Sequence, residues 1–433
     1  MPKEMKDVWL IDYARTPFSR ARPKEPERDV FGDQRGDALL AQLLMKFFSE
    51  KLANKGIAKK DIDEMGIGTA MGVHECWTYG GKLPTFMAEF PVEMSSFFVD
   101  KQCGSAGAGL GFIALEIMTG VAKTGLATGV EHMTRIPMNN DWIKPNLGMI
   151  SKKDPWYRPQ YDILTTINML QTAQKLYEEE SPNFKKEDMD KLGVRSHALA
   201  IENMAWLKKE IIPIQGHAEG KVEEKVTIDQ DQNPRKSSLD AVAKLPRLSK
   251  PFYLKTNAYG QDLGGKEGYK TREGTLEGVI TPANSSPLNA GATACVVMEA
   301  KEAEKRGLKP MAKILSVGFA GVDPSVMGRG PVPATKKALE FAGLKADQID
   351  FWEINEAFCI VALNCMKAYN IPEKKVNVMG GATAIGHPLG SSMVRLTGTL
   401  ARILQDKNGK YGVANACIGG GQGIAIVLEN LKK

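Results

Sequence analysis

An internal duplication is the feature that most constrains this chain. Two distant stretches follow the same order: an amphipathic helix, a glycine, an Asp-containing turn and a short apolar strand. The first spans residues 37–72 and the second spans residues 334–358. Each is followed, at nearly the same offset, by an apolar strand, a turn of small residues and an amphipathic helix. One such unit recurs by chance in α/β proteins, but two consecutive units in matching order favour a duplicated α/β fold.

The region between the two halves has a different character. It contains two helical patterns, separated by polar and proline-containing connections. Residues 251–274 are glycine-rich, polar and aromatic, which predicts a long loop that serves as a lid or a binding wall. We therefore predict three parts: residues 1–130 with 281–308 as the first half, residues 131–280 as an inserted loop domain, and residues 309–433 as the second half.

Composition narrows the class of protein. A chain of 433 residues exceeds one ordinary core, and 43% hydrophobic with 25% charged residues is typical of a globular protein in water. We expect no membrane span, because no run of about 18 apolar residues occurs, and no export signal. Six scattered cysteines without metal-type pairing indicate reduced thiols in a cytoplasm. A net charge of +6 suits a polyanionic ligand but is equally typical of a lysine-rich surface.

Cys103 is the first candidate for chemistry. It lies in the motif KQCGSAG, where the predicted strand of the first half gives way to a helix. Peptide groups at a helix N-terminus stabilise a thiolate, and small neighbours leave the sulfur approachable. A lone cysteine is more often a buried structural residue, but this strand-to-helix context favours a nucleophile.

His387 lies in the motif GGATAIGHPLG, at the corresponding turn of the second half. The surrounding glycines permit unusual backbone angles and close approach, and the following proline fixes its own φ angle. If the halves pack with pseudo-twofold symmetry, their equivalent turns face each other. That arrangement would place an imidazole beside the Cys103 thiol, the pairing that generates a thiolate.

Two further motifs lie in the second half. Cys417 opens the segment CIGGGQG, which lacks a P-loop lysine and dinucleotide spacing, so an oxyanion-binding turn is a better interpretation than a phosphate cradle. Asn355 and Glu356 follow a predicted strand in the motif NEAF. Asparagine can orient a water or donate to a carbonyl oxygen, whereas the glutamate is typical of a structural group. We find no metal-ligand cluster and no basic and aromatic array for nucleic acid.

Taken together, the four motifs resemble the active-site blocks of the thiolase family, in the family's order and over essentially the whole chain. The resemblance implies an α/β fold in which two duplicated βαβαβ halves form a five-layer α-β-α-β-α sandwich with an inserted loop domain. Residues 283–292 are similar to the family's coenzyme A loop, with Ser286 at the pantetheine-contacting position. The segment around Met169 is similar to the stretch beside the acyl pocket, and Phe358 belongs to the NEAF block as a further pocket-lining residue.

The resemblance also implies a mechanism. His387 would deprotonate Cys103, the thiolate would attack a 3-oxoacyl-CoA to give an acyl-enzyme, and Cys417 would move the proton at the α-carbon. One oxyanion site would be His387 with a water held by Asn355, and the other would be the backbone N–H groups of Cys103 and Gly419. Coenzyme A would be a substrate, and no cofactor or metal would be permanently bound. Presence of both Cys417 and Asn355 favours thiolases over the related condensing synthases.

Departures from the family bear on substrate and assembly. Residues 74–90 replace a familiar segment, Ala290 replaces the usual aspartate, and the loop near residues 250–275 is longer than in short-chain members. We hypothesise a bulky, aromatic or dicarboxylic 3-oxoacyl-CoA substrate such as benzoylsuccinyl-CoA. Acetoacetyl-CoA is the alternative substrate, and a core or subunit-contact role for the aromatics near residues 77–90 is an equally good interpretation. We expect a homodimer or a dimer of dimers, and a second hypothesis makes the chain dependent on a small zinc-ribbon and OB-fold partner.

Overall fold

The computed structural model describes residues 5–138, 141–180, 183–249 and 278–432, which form an α/β protein. Its strands are β1 (Val8–Arg15), β2 (Ser19–Arg20), β3 (Glu64–Gly68), β4 (Ser95–Val99), β5 (Thr124–His132), β6 (Ile214–Ala218), β7 (Lys221–Ile228), β8 (Asn289–Glu299), β9 (Ala312–Gly321), β10 (Phe351–Ile354), β11 (Tyr411–Ile418) and β12 (Gln422–Glu429). Its α-helices are α1 (Gly36–Lys46), α2 (Lys82–Met87), α3 (Ser105–Thr119), α4 (Ile163–Thr166), α5 (Met169–Glu180), α6 (Lys186–Glu202), α7 (Met204–Leu207), α8 (Leu239–Ala243), α9 (Ala300–Lys305), α10 (Pro331–Ala342), α11 (Cys359–Tyr369), α12 (Ala382–Ile385) and α13 (Ser392–Asp406).

A continuous run of ten paired strands of the described chain forms the frame, and it divides into two half-sheets of matching topology. The first has the order β4-β3-β5-β8-β1 and the second has the order β10-β11-β12-β9. Parallel pairs occupy the β4-β3-β5 and β10-β11 positions, and antiparallel pairs follow in both sheets. An isolated parallel bridge between Trp352 and Val376 takes the place that β4 has in the first sheet. The sheets meet where Val8 to Leu10 pair with Ala312 to Ile314.

Helices cover both sheets and fill the space between them. Alternate residues of β5 and β8 face two different cores, one under α1 and one under α3. The same alternation in β12 divides its side chains between the core of α10 and the core shared by α3 and α13. Because side chains on a strand alternate between its faces, this pattern defines five layers, with α3 and α13 in the centre. The predicted fold class is confirmed.

The duplication is regular in three dimensions. The central helices α3 and α13 each have 15 residues and start 287 residues apart, at Ser105 and Ser392. The same offset, 287, separates Glu64 from Phe351 at the starts of β3 and β10. It also relates their partners, since Glu64 pairs with Gly125 and Phe351 pairs with Gly412. In these elements, residues 287 apart therefore occupy equivalent places in the two halves.

The segment between the halves packs against the first half through a buried ion-pair network. The Arg15 guanidinium donates to Glu210 at 3.0 Å and to Asp231 at 2.7 and 2.9 Å, and all three side chains are almost fully buried. Breaking one member would leave an uncompensated buried charge, so this network fixes the inserted region. The boundaries at residues 130, 280 and 308 stay a prediction, and the predicted loop over 251–274 lies outside the described residues. None of the helices described is both long and apolar enough to cross a membrane.

Candidate active site

A strained turn presents Cys103. The residue lies in a 3-10 turn, Gln102–Gly104, that leads directly into α3. Gln102 has a φ of 47°, a left-handed conformation that is costly for a residue with a side chain. Ser105 holds the turn, because its hydroxyl donates to Gln102 O at 2.6 Å and accepts from Lys101 N at 2.9 Å. The sulfur therefore sits at a helix N-terminus in a side chain that is only 9% exposed.

His387 lies against this sulfur, with 3.3 Å between His387 Nε2 and Cys103 Sγ. The backbone N–H of His387 donates to Asn289 Oδ1 at 2.7 Å, and Gly386 before it has a φ of 122°. A side chain at Gly386 would have this positive φ and would also meet Asn289 at 2.9 Å. The glycine thus allows the turn that brings the two halves together at this point.

Ser392, the first residue of α13, completes the histidine's surroundings, although the sequence pattern did not single it out. Its hydroxyl lies 2.6 Å from His387 Nδ1. When Nδ1–H donates to this oxygen, Nε2 keeps a lone pair that can accept the Cys103 proton. Its position five residues after the histidine, at a helix start, is the only sequence signal that points to it.

Asn355 faces the same imidazole. Its Nδ2 lies 3.3 Å from His387 Nε2, and its backbone N–H donates to Asn415 O at 2.9 Å. Asn355 Oδ1 is buried and has no hydrogen-bond partner among the described residues. A buried polar atom of this kind is usually satisfied by a water or a ligand, so the arrangement suits an oxygen held beside His387.

Cys417 and Gly419 both interact with the Cys103 thiol. Cys417 is fully buried in β11, and its thiol interacts electrostatically with that of Cys103. The backbone N–H groups of Gly419 and of Cys103 itself lower the pKa of the Cys103 thiol. Two peptide N–H groups that converge on one position can stabilise a negative charge there.

Burial determines the protonation states of Cys103 and His387 in the resting enzyme. It raises the pKa of Cys103 to about 12, and the Gly419 N–H only partly opposes this effect. Burial, followed by the nearby Arg395 charge, lowers the pKa of His387 to about 3. The resting pair is therefore a neutral thiol and a neutral imidazole, and desolvation outweighs the thiolate stabilisation expected from the helix N-terminus.

Glu356 and the predicted coenzyme A loop are hydrogen-bonded to the segments that carry the site residues. The Glu356 carboxylate accepts from Ser196, Asn377 and the Thr383 N–H, which fits the structural interpretation of this residue. Ser286 donates to Ala357 O through both its N–H, at 3.0 Å, and its hydroxyl, at 3.2 Å. Residues 284–286 are thus joined directly to the NEAF motif.

The two predicted pocket residues lie in one apolar cluster. Phe358 is buried there together with Cys417, and Met169, at the start of α5, packs against the same cluster. Among the residues described, no group of three His, Cys, Asp or Glu side chains could hold a metal ion. The expectation of no resident cofactor stays a prediction.

A cationic cluster was not predicted from the sequence. Arg20 is half-buried, and its pKa is lowered by burial and then by the charges of Arg22 and Arg235. Within the described ranges none of the three arginines forms an ion pair with a carboxylate, and Arg22 Nε is buried without a partner. Arg235 Nη2 donates to Pro282 O at 3.2 Å, which places the cluster beside the loop that carries Ser286.

Comparison with known proteins decides the family. The "Thiolase, N-terminal domain" family matches residues 9–253 and the "Thiolase, C-terminal domain" family matches residues 308–430. This chain belongs to the thiolase family. It is 35% identical to a 3-ketoacyl-CoA thiolase of Marinobacter nauticus, over 98% of this chain and 99% of that protein. It is 33% identical to an acetyl-CoA acetyltransferase of Syntrophomonas wolfei, over 98% of this chain and 100% of that protein.

Solved structures agree with this assignment. The acetyl-CoA acetyltransferase of Bacillus anthracis superposes with a TM-score of 0.77 at 25% identity, over 99% of this chain and 100% of that one. Human mitochondrial 3-ketoacyl-CoA thiolase gives the same TM-score, 0.77, the same identity, 25%, and the same coverage, 99% and 100%. The thiolase is therefore an acyltransferase, as predicted.

Proposed function

We propose that this thiolase transfers acyl groups between 3-oxoacyl-CoA and coenzyme A through an acyl-enzyme on Cys103. The observation that carries the proposal is the 3.3 Å separation of His387 Nε2 and Cys103 Sγ, inside a buried site bordered by Asn355, Cys417 and Gly419. A nucleophile within hydrogen-bond reach of a base, with donors around it, is the arrangement that covalent catalysis requires. The relatives named 3-ketoacyl-CoA thiolase support the same substrate class.

The first half-reaction would cleave the 3-oxoacyl chain. His387 takes the Cys103 proton, the thiolate attacks the 3-oxo carbonyl, and a carbon–sulfur bond forms. The bond between carbons 2 and 3 then breaks, and its electron pair passes to the leaving acetyl-CoA enolate. Cys417 donates a proton to carbon 2 of that enolate, so acetyl-CoA leaves as a neutral thioester.

The second half-reaction would release the shortened chain. Coenzyme A gives its thiol proton to Cys417, which the first half-reaction left as a thiolate. The sulfur of coenzyme A then attacks the acyl-enzyme carbonyl. The new thioester forms as the bond to Cys103 breaks, and His387 returns its proton to the departing sulfur. The N–H groups of Cys103 and Gly419 would stabilise the oxyanion of the acyl carbonyl, while His387 and a water on Asn355 would stabilise the enolate.

The coenzyme A moiety would bind along residues 283–292. Ser286 lies next to the NEAF motif, and the cluster of Arg20, Arg22 and Arg235 adjoins the same loop through Pro282. Arginines without carboxylate partners are suited to the phosphates of a nucleotide. The net charge of +6, ambiguous by itself, thus includes a local concentration of positive charge beside the predicted site.

A bulky or aromatic acyl group, such as benzoylsuccinyl, is our finer proposal. Its support is an aromatic contact, in which the ring centroids of His74 and Trp142 lie 3.4 Å apart. His74 belongs to the segment that follows Ala70, whose carbonyl oxygen accepts a hydrogen bond from Gln102 next to Cys103. The alternative is acetoacetyl-CoA. Rates of thiolysis for acetoacetyl-CoA and for an aryl 3-oxoacyl-CoA, measured side by side, decide between them, and equal efficiency would remove the aromatic proposal.

A homodimer, or a dimer of dimers, is our proposal for assembly. Trp77, Tyr79, Phe86 and Val92 are all at least half exposed, and they lie in the segment that precedes β4, the strand at the end of the sheet order of the described chain. Exposed apolar side chains beside an open strand edge are typical of an interface. Sedimentation of the purified protein tests this, and co-purification from the native source tests whether a zinc-ribbon and OB-fold partner accompanies it.

The acyl-enzyme is tested by intact mass. Incubation of the wild-type protein with an acyl-CoA should add the mass of one acyl group, and Cys103→Ala should abolish that addition. Cys295→Ala is a matched control, because Cys295 is a buried thiol of β8 without a place in the mechanism. Full acylation of the Cys103→Ala variant would overturn the proposal.

A further inference from the structure

Glu131 is a fully buried carboxylate at the end of β5 that the mechanism above does not use. Its Oε2 accepts from the backbone N–H groups of Ala70, at 2.8 Å, and Gly390, at 2.9 Å. Its Oε1 accepts from the Thr69 hydroxyl at 3.0 Å. Over the described residues Glu131 forms no ion pair with a cation. Burial of a carboxylate is unfavourable unless it is fully hydrogen-bonded, so the Thr69, Ala70 and Gly390 donors have to compensate for the lost hydration.

The donors come from both sides of the Cys103 and His387 pair. Ala70 O accepts from Gln102 Nε2 at 3.2 Å, so residues 69–70 support the turn that presents Cys103. Gly390 lies three residues after His387, in the turn that leads into α13. Oε2 therefore bonds one N–H from the nucleophile side and one from the base side, and a change in either turn is felt by the other.

The second half of the molecule shows that the fold does not require a carboxylate here. The residue 287 positions after Glu131 is Ile418, at the same place in β11. Ile418 packs against Gly104, where an added Cβ would lie only 2.4 Å from its side chain. An apolar residue thus fills the equivalent position in one half, whereas the other half buries a negative charge beside the site.

We propose that Glu131 is a positioning residue for acyl transfer, whose carboxylate fixes the Cys103 turn against the His387 turn and, when ionised, disfavours the Cys103 thiolate. This inference rests on the proposed function. Electrostatics support it, because the Glu131 charge is one of the causes that raise the pKa of Cys103, after burial. Burial raises the pKa of Glu131 itself to about 7, against the Ala70, Gly390 and Thr69 bonds.

The variant Glu131→Gln separates charge from shape. Glutamine keeps one oxygen for the Ala70 and Gly390 N–H groups, and its amide can donate to the Thr69 hydroxyl oxygen. The titratable groups that interact with Glu131 are the thiols of Cys76 and Cys103, so loss of its charge should lower the pKa of Cys103. The rate of Cys103 alkylation by iodoacetamide, followed against pH by intact mass, should therefore shift to lower pH, with Cys103→Ala as the background.

Catalysis should change in a matching way. We expect kcat to fall about tenfold or more in Glu131→Gln, with KM for the acyl-CoA nearly unchanged, because a neutral amide oxygen binds the Ala70 and Gly390 N–H groups more weakly than a carboxylate and holds the two turns less firmly. Glu299→Gln, a buried glutamate of β8 that pairs with Lys6, is the control and should leave both measurements unchanged. An unaltered alkylation profile in folded Glu131→Gln, or an unaltered kcat, would overturn the proposal.

A second variant covers the case in which Glu131→Gln does not fold. Thr69→Val removes the hydroxyl bond to Oε1 together with the Thr69 interaction with Cys76. Loss of the Oε1 bond destabilises the ionised carboxylate and should shift the alkylation profile in the same direction by less. No shift would overturn the proposal. Because alkylation needs no substrate, its result is independent of thiolase activity: an inactive wild-type enzyme would refute the proposed function without altering the alkylation comparison.

Discussion

The two halves of this thiolase have one architecture and different chemistry. Residues 287 apart are equivalent, so Gly390 corresponds to Cys103 and Gly68 corresponds to Asn355. In the first half an added Cβ at Gly68 would lie 2.2 Å from Ala106 N, which leaves no space for a side chain. In the second half the Asn355 side chain occupies the equivalent place and reaches His387. Duplication thus fixes where the groups meet, and divergence decides which half contributes the nucleophile and which contributes the base.

The largest expected effect comes from removing the base that the second half contributes. His387→Gln keeps a polar side chain but cannot take the Cys103 proton. We expect kcat to fall by roughly 10³- to 10⁴-fold, the upper range for general base catalysis. Single-turnover acylation, measured by rapid quench, would report this step directly. Acylation at the wild-type rate would show that Cys103 needs no base from the second half.

A smaller effect should follow from making the second half resemble the first. Asn355→Gly restores the residue type found at Gly68 and removes the Nδ2 group 3.3 Å from His387 Nε2. Loss of one oxyanion donor typically lowers kcat by about 10²- to 10³-fold. Steady-state thiolysis measures it, with Asn370→Gly as the control, because Asn370 ends α11 with a φ of 52° that glycine accepts readily. A kcat equal to wild type would remove Asn355 from the mechanism.

The reverse change should affect stability rather than chemistry. Gly68→Ala would force a Cβ against the backbone of α3 and should lower the free energy of unfolding by about 2 to 3 kcal/mol. Gly321→Ala is the matched control, because an added Cβ there would have its nearest neighbour at 4.0 Å. Chemical denaturation of both variants provides the comparison. Equal stability would mean that the first half has room for a side chain after all.

Much of this arrangement follows from the sequence because the duplication does. Equivalent turns of the halves were expected to meet, and Cys103 and His387 lie together for that reason. Ser392 was not predicted, because serine is common at helix starts. Only the three-dimensional structure shows that its hydroxyl faces the His387 ring. Glu131 was not predicted either, because its donors come from two segments far apart in the chain, residues 69–70 and Gly390. Contacts assembled from distant segments leave no local pattern.

The acyl substrate does not follow from the sequence, and the reason is similar. The residues that depart from the family, such as His74, contact others that are distant in sequence, such as Trp142. Spacing predicts which elements form and which turns coincide. It does not predict the shape of a cavity lined by side chains from several loops. Resemblance therefore identified the reaction more closely than the substrate.

The smallest expected effect is a change of the free energy of unfolding with pH. It distinguishes a neutral from a charged His387 and Cys103 pair. His387 is neutral in the folded protein because burial lowers its pKa to about 3, whereas an unfolded histidine has a pKa of 6.5. As the pH falls below 6.5 the unfolded chain gains a proton that the folded chain does not, so stability is lost toward acid. From pH 7 to pH 5 this group should lower the free energy of unfolding by about 2 kcal/mol.

His387→Gln isolates that contribution, since His197, whose pKa burial lowers to about 4, titrates in both proteins. The wild-type protein should therefore lose about 2 kcal/mol more than the variant between pH 7 and pH 5, as measured by denaturant titration at each pH. If instead both proteins lost the same amount, folding would leave the pKa of His387 unchanged. If the wild-type protein lost less than the variant, the folded pKa would be raised, and the neutral pair inferred from burial would be wrong.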